Sequence, residues 1–96
     1  MAYTVPVRYE WDEAKRAANL AKHGVDFTDA VGALEDPHGR TIEDADASGE
    51  TRYVTMGMGF SSRVLLVVWT ERSADVIRVI SARRASRAEA RHYPEN

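Results

Sequence analysis

The sequence predicts an α+β fold in one domain spanning residues 1–96: β-α-α-β-β-β-β-α, an antiparallel sheet with two N-terminal helices packed on it and a C-terminal helix. Three observations lead there. Near the N-terminus, small and apolar residues recur at helical spacing. From Arg52 onward the texture changes to runs rich in Val, Ile, Tyr, Trp and Thr divided by turn-formers. The length, 96 residues, is enough for a single core of helices against a sheet and too little for two. With 44% hydrophobic and 29% charged residues, the chain lies far from the composition of disordered proteins.

Each element has its own signal. "VRYEW" opens the chain as a strand. In "WDEAKRAANLAKHG", Ala14, Ala17, Ala18 and Ala21 share one helical face and are expected to pack on the sheet. Asp12 is its expected N-cap, and Gly24 the left-handed residue that ends it. "TDAVGALED" predicts a second helix opened by Thr28 and stopped before Pro37, because a residue preceding proline is pushed out of helical geometry. Extended structure resumes at "TIED". The runs "RYVTMGM", "RVLLVVWTE" and "DVIRVISA", separated by "GFSS" and "RSAD", read as a meander. Its middle strand is apolar on both faces and belongs at the centre of the sheet. Ser86 and Glu89 form a capping box that starts the last helix.

Composition excludes several chemistries. The chain has no cysteine, hence no disulfide, thiolate nucleophile or thiolate metal site. The longest apolar run, Val64 to Trp69, is too short to cross a bilayer, and the reading is a soluble cytoplasmic protein. "DADASGE" matches the start of a calcium loop, but position twelve is Thr55 where the bidentate glutamate belongs. No two histidines stand at i, i+4, so no metal site is expected and no cofactor.

The charges are unevenly placed. Up to Ser62 there are six Lys and Arg against eleven Asp and Glu; from Arg63 onward there are seven against four. The net charge of −2 therefore hides a basic C-terminal segment suited to an anionic partner. Arg83 and Arg84 follow the last strand, whose core-facing row is expected to run Ile77, Val79, Ser81 and then out of core at Arg83. Arg87 and Arg91 share a helical face at i, i+4, where like charges repel unless a phosphate neutralises them. Arginine suits that role through its planar fork and permanent charge. His23, with Lys22 beside it, closes the first helix and is the one histidine on a well-defined element.

Two segments, "YEWDEAKRAANLAKHGVDFTDA" and "VIRVISARRASRAEARHY", together with the β-rich middle, resemble the BrnT family of type II toxins, small ribonucleases with a RelE-like fold. The resemblance implies RNA cleavage that inhibits translation, a tightly bound BrnA-like antitoxin, and joint binding of operator DNA through that antitoxin. Carried onto this chain, it puts Arg83, Arg84, His23 and Lys22 in the catalytic site and Tyr93 against RNA, where Arg87 and Arg91 are expected from their shared basic face. Metal-free cleavage needs a base for the ribose 2′-OH, an acid for the leaving 5′-oxygen, and cations for charge developing on phosphorus. Those residues supply all three. The alternative is a non-catalytic binder of nucleic acid or of a partner, with the same fold.

Overall fold

A computed structural model describes residues 7–44 and 49–94. Its elements are β1 (Arg8–Glu10), α1 (Glu13–His23), α2 (Phe27–Leu34), β2 (Arg40–Glu43), β3 (Tyr53–Met58), β4 (Val64–Ser73), β5 (Val76–Arg84) and α3 (Arg87–Ala90). They form a five-stranded sheet in the order β1-β5-β4-β3-β2, with the doubly apolar β4 at its centre. Within residues 42–50, the calcium-like stretch lies largely outside the described residues, at 45–48. No helix among the described residues is long and apolar enough to cross a membrane.

The sheet is mixed, where an antiparallel one was expected. β2 to β5 pair antiparallel, but β1 lies parallel to β5 with Arg8 opposite Val76 and Glu10 opposite Arg78. Short turns force neighbouring strands antiparallel; β1 and β5 are joined by a long crossover, which permits parallel pairing. Arg78 anchors the pair through Glu10 at 2.6 Å.

The core lies between the sheet and α1–α2, built from Val25, Phe27, Ala30, Ala33, Leu65, Val67, Val79 and Ala82. α2 supplies most of the helical share: Phe27, Ala30, Gly32 and Ala33 are buried, and Phe27 meets Trp11 edge-on at 6.0 Å. The N-cap of α2 is Asp26, not Thr28; its carboxylate accepts from the Thr28 amide at 3.0 Å, leaving Phe27 to start the helix and point inward. Asp12 and Gly24 bound α1 as expected, with Gly24 at φ 69°.

The face of α1 corrects the sequence reading. Ala14, Ala17, Ala18 and Ala21 are exposed, and the one buried residue of the helix is Asn19. Its amide donates to the Val25 and Ala82 carbonyls at 3.0 and 2.8 Å and accepts from the Ala82 amide at 3.1 Å. Beyond Glu10, β1 no longer covers the edge of β5. Asn19 satisfies that edge in place of a strand, so α1 docks through a polar side chain and leaves its alanines outside.

A bulge in β5 decides which arginine faces where. Val68 stands opposite Ser81 but Trp69 opposite Val79, leaving Ile80 as the extra residue. The core-facing row therefore passes from Val79 to Ala82, not to Ser81, and continues to Arg84. Leu65, buried in the core, is the register partner of Arg84, whereas half-exposed Leu66 is that of Arg83. Arg83 and Arg84 thus leave the sheet on opposite faces, with Arg84 on the helix side.

Candidate nucleic-acid interface and active site

The site is built around the loop joining β3 to β4. Gly59 N–H donates to the Arg63 carbonyl at 2.9 Å and Ser62 N–H to the Gly59 carbonyl at 3.0 Å, closing a three-residue hairpin turn. Ser62 occupies the left-handed position at φ 64°, a conformation that glycine adopts without strain and serine does not. The loop is tied down onto α2. Asp29 accepts from the Ser61 amide at 2.8 Å and from the Ser61 hydroxyl, and Arg63 reaches the same carboxylate at 3.5 Å. Burial works to raise the Asp29 carboxyl, but the hydrogen bonds from Ser61 and the Arg63 guanidinium outweigh it and hold the group below its ordinary value.

On the far side of Arg63, the chain leaving β5 forms a second wall. A groove of about 250 Å³ is bordered there by Arg63, Arg84, Ser86 and Arg87. Arg63 also borders a larger groove of about 580 Å³, which runs along Leu20, Thr28, Asp29 and Phe60. The side chains of Arg84 and Arg87 have no hydrogen bond or ion pair among the described residues, so both cations are open to an anion. The β3–β4 loop was legible only as a turn. Arg63 and Phe60 carried no motif, and the one sequence signal for them was Gly32, a glycine inside a helix with no turn to explain it.

Arg83 is differently placed. Its guanidinium is bidentate to Glu89, with both N–H···O distances 2.8 Å. The same carboxylate accepts from the Ser86 amide at 2.8 Å while the Ser86 hydroxyl accepts from the Glu89 amide at 3.1 Å. The Arg83 hydrogen bond and that backbone amide hold the Glu89 carboxyl down at about 2. Arg83 therefore fastens α3 to the sheet, and its neighbour is left open.

The remaining residues divide as follows. Arg91 caps α3 and is exposed. The Tyr93 hydroxyl donates to Asp36, which also accepts from the Met58 amide at 2.7 Å, so the C-terminal segment is pinned beside the end of α2. That hydrogen bond, together with burial, pushes the Tyr93 phenol up to about 12. Lys22 is exposed and His23 half-buried on the last turn of α1, and neither borders the two grooves. Glu10 pairs at the level of Arg78 and Asn19 at Ala82, so α1 runs along β5 toward Arg84. His23, one turn past Asn19 on the same helix face, continues in that direction.

The chain as a whole matches a known family. Residues 11–89 match the family model described as "Ribonuclease toxin, BrnT, of type II toxin-antitoxin system". The chain belongs to the BrnT family. Its fold is similar to the crystal structure of the Brucella abortus ribonuclease toxin, BrnT, with a TM-score of 0.66 and 28% identity over 84% of this chain and 99% of that one. No curated protein sequence matches the chain significantly. Membership makes this BrnT-family chain a ribonuclease toxin of a type II toxin–antitoxin system, and its open cations lie where a phosphodiester can meet them.

Proposed function

We propose that this chain is a RelE-like, metal-independent endoribonuclease that acts on RNA in the cytoplasm, inhibits translation, and is neutralised by a BrnA-like antitoxin that also carries the pair to operator DNA. One observation carries the reading: Arg84 and Arg87, whose side chains have no hydrogen bond or ion pair among the described residues, share a groove with Arg63. Three guanidiniums around one groove repel each other in the free protein and are relieved by a phosphate.

In this reading the ribose 2′-oxygen attacks the adjacent phosphorus, giving up its proton to a base, while the 5′-oxygen leaves with a proton from an acid. Arg84 balances the charge that grows on the phosphoryl oxygens, helped by Arg87 and Arg63. His23 and Lys22, at the Arg84 end of α1, are the proposed proton carriers. Arg83 serves the site by holding α3, and with it Arg87 and Arg91, in place. Tyr93 contributes to RNA binding from the same pinned segment.

The test is cleavage of RNA in excess chelator by the wild type, Arg84→Ala and His23→Gln. Arg84→Ala is expected to lose about 10²–10³-fold in rate, the size of a lost charge-stabilising donor, with an unchanged melt. His23→Gln is expected to lose about 10²–10⁴-fold and to flatten the pH–rate profile while retaining RNA affinity. Cleavage that stops in chelator overturns the metal-free mechanism. RNA binding without cleavage by the wild type selects the non-catalytic binder instead.

A further inference from the structure

Phe60 is 68% exposed at the tip of the β3–β4 loop, yet it rests against α2. A Cβ placed on Gly32 would lie 2.6 Å from the Phe60 amide nitrogen and 2.8 Å from its ring, so α2 gives up a side chain to let the aromatic residue seat against it. Glycine inside a helix is destabilising relative to alanine. Gly59 makes the same concession: a Cβ there would meet Asp29 at 2.8 Å and Leu65 at 2.7 Å. Asp29 then clamps Ser61, and Ser62 holds its left-handed turn. Two glycines, a carboxylate clamp and a strained serine together fix a ring that contributes little to the core.

The ring borders the larger groove, which is also lined by Leu20, itself 42% exposed. At about 580 Å³ the groove has room for a flat heterocycle. Its carboxylates are held by contacts within the protein, Asp26 by Arg16 at 2.9 Å and Asp29 by Ser61 and Arg63. Arg63 borders both this groove and the one that holds Arg84 and Arg87.

We infer that this groove is a nucleobase subsite: one base of a single-stranded RNA stacks on Phe60, and the adjoining phosphate passes over Arg63 toward Arg84. The inference rests on the ribonuclease reading and adds the subsite that sets strand register. Single-stranded RNA is recognised by splayed bases stacked on aromatic rings beside cationic backbone contacts, and this arrangement supplies both on rigid elements. A protein partner would use the exposed Phe60 and Leu20 but would have no need of the continuous line of arginines.

The probe is a short single-stranded oligonucleotide with 2′-O-methyl groups, which cannot be cleaved by 2′-OH attack, carrying 2-aminopurine or an abasic unit at each position in turn. Wild-type protein is expected to quench the fluorophore at one position and to lose affinity when that base is removed. Phe60→Ala and Phe60→Leu are expected to bind about 5- to 150-fold more weakly and to be indifferent to the same abasic unit. Phe60→Trp restores both. Equal affinity of the Ala, Leu and wild-type proteins, or a loss confined to binding of a protein partner, overturns the subsite while cleavage of ordinary RNA keeps the ribonuclease reading standing. If the wild type neither binds nor cleaves RNA, both fall together.

Discussion

Asn19 and Arg84 show how single residues divide the labour. Asn19 completes a strand edge: its two hydrogen bonds with Ala82 replace the neighbour that β5 lacks once β1 has ended, and a third holds the Val25 carbonyl. Asn19→Ala leaves the Ala82 amide and carbonyl buried without a partner. We expect that variant to lose ~2–4 kcal/mol, lowering the melting midpoint by roughly 10–25 °C. A thermal melt checks this, and a loss within a degree or two would mean that water replaces the amide at no cost. The Arg84 side chain, by contrast, makes no hydrogen bond or ion pair among the described residues. Adjacent in sequence, Arg83 and Arg84 look like a functional pair, and the structure separates them into a fastener and an open cation.

α3 illustrates how an element too short to be stable alone is held by a few polar contacts. Its four residues rely on the capping box and on Arg83, and both contacts use the Glu89 carboxylate. Because Glu89 is held down at about 2 against an ordinary 4.5, its contribution is fully present above pH 4.5 and is lost as the pH falls toward 2. We expect an NMR titration to show the Glu89 carboxyl and the Arg83 guanidinium changing together in that window, with α3 loosening. Asp36, also held below its ordinary value, adds to the same acid response through Tyr93. In Glu89→Gln the Glu89 step disappears and the Asp36 step remains; an unchanged profile would detach α3 from its proposed anchor. This element was readable beforehand because Ser86 and Glu89 interact at short range, as were the cap at Asp12 and the stop at Gly24. The exposed alanine face of α1 was not readable, since periodicity reports that a face exists and not which surface it meets.

Across the whole molecule, the cations of the C-terminal half are gathered by folding with Arg63, which sequence places at the start of a strand. In the proposed site Arg63, Arg84, Arg87 and Arg91 would make three to four phosphate contacts, so RNA affinity is expected to fall with salt at a log–log slope of ~−2 to −3. Arg84→Ala should flatten that slope by about 0.7. Binding measured at several salt concentrations checks both, and a slope near zero would mean that phosphates are not what the arginines meet. Where the acidic N-terminal half approaches the grooves, Asp26 is paired with Arg16 and Asp29 with Arg63.

By itself, the sequence determined what depends on near neighbours and on composition. Helix caps, the β-rich second half, the central position of the doubly apolar β4 and the basic C-terminal segment all follow from spacing and residue type, as does the likeness to BrnT toxins at both ends of the chain. Tertiary structure decided what depends on partners distant in sequence. The parallel β1–β5 pairing, the docking of α1 through Asn19 and the seating of Phe60 on Gly32 join residues 28 or more positions apart. The bulge at Ile80 shows why this matters for the site. One extra residue in β5 exchanges the faces of Arg83 and Arg84, because side chains alternate along a strand with a period of two, and no local signal in "VIRVISARR" marks where that alternation slips.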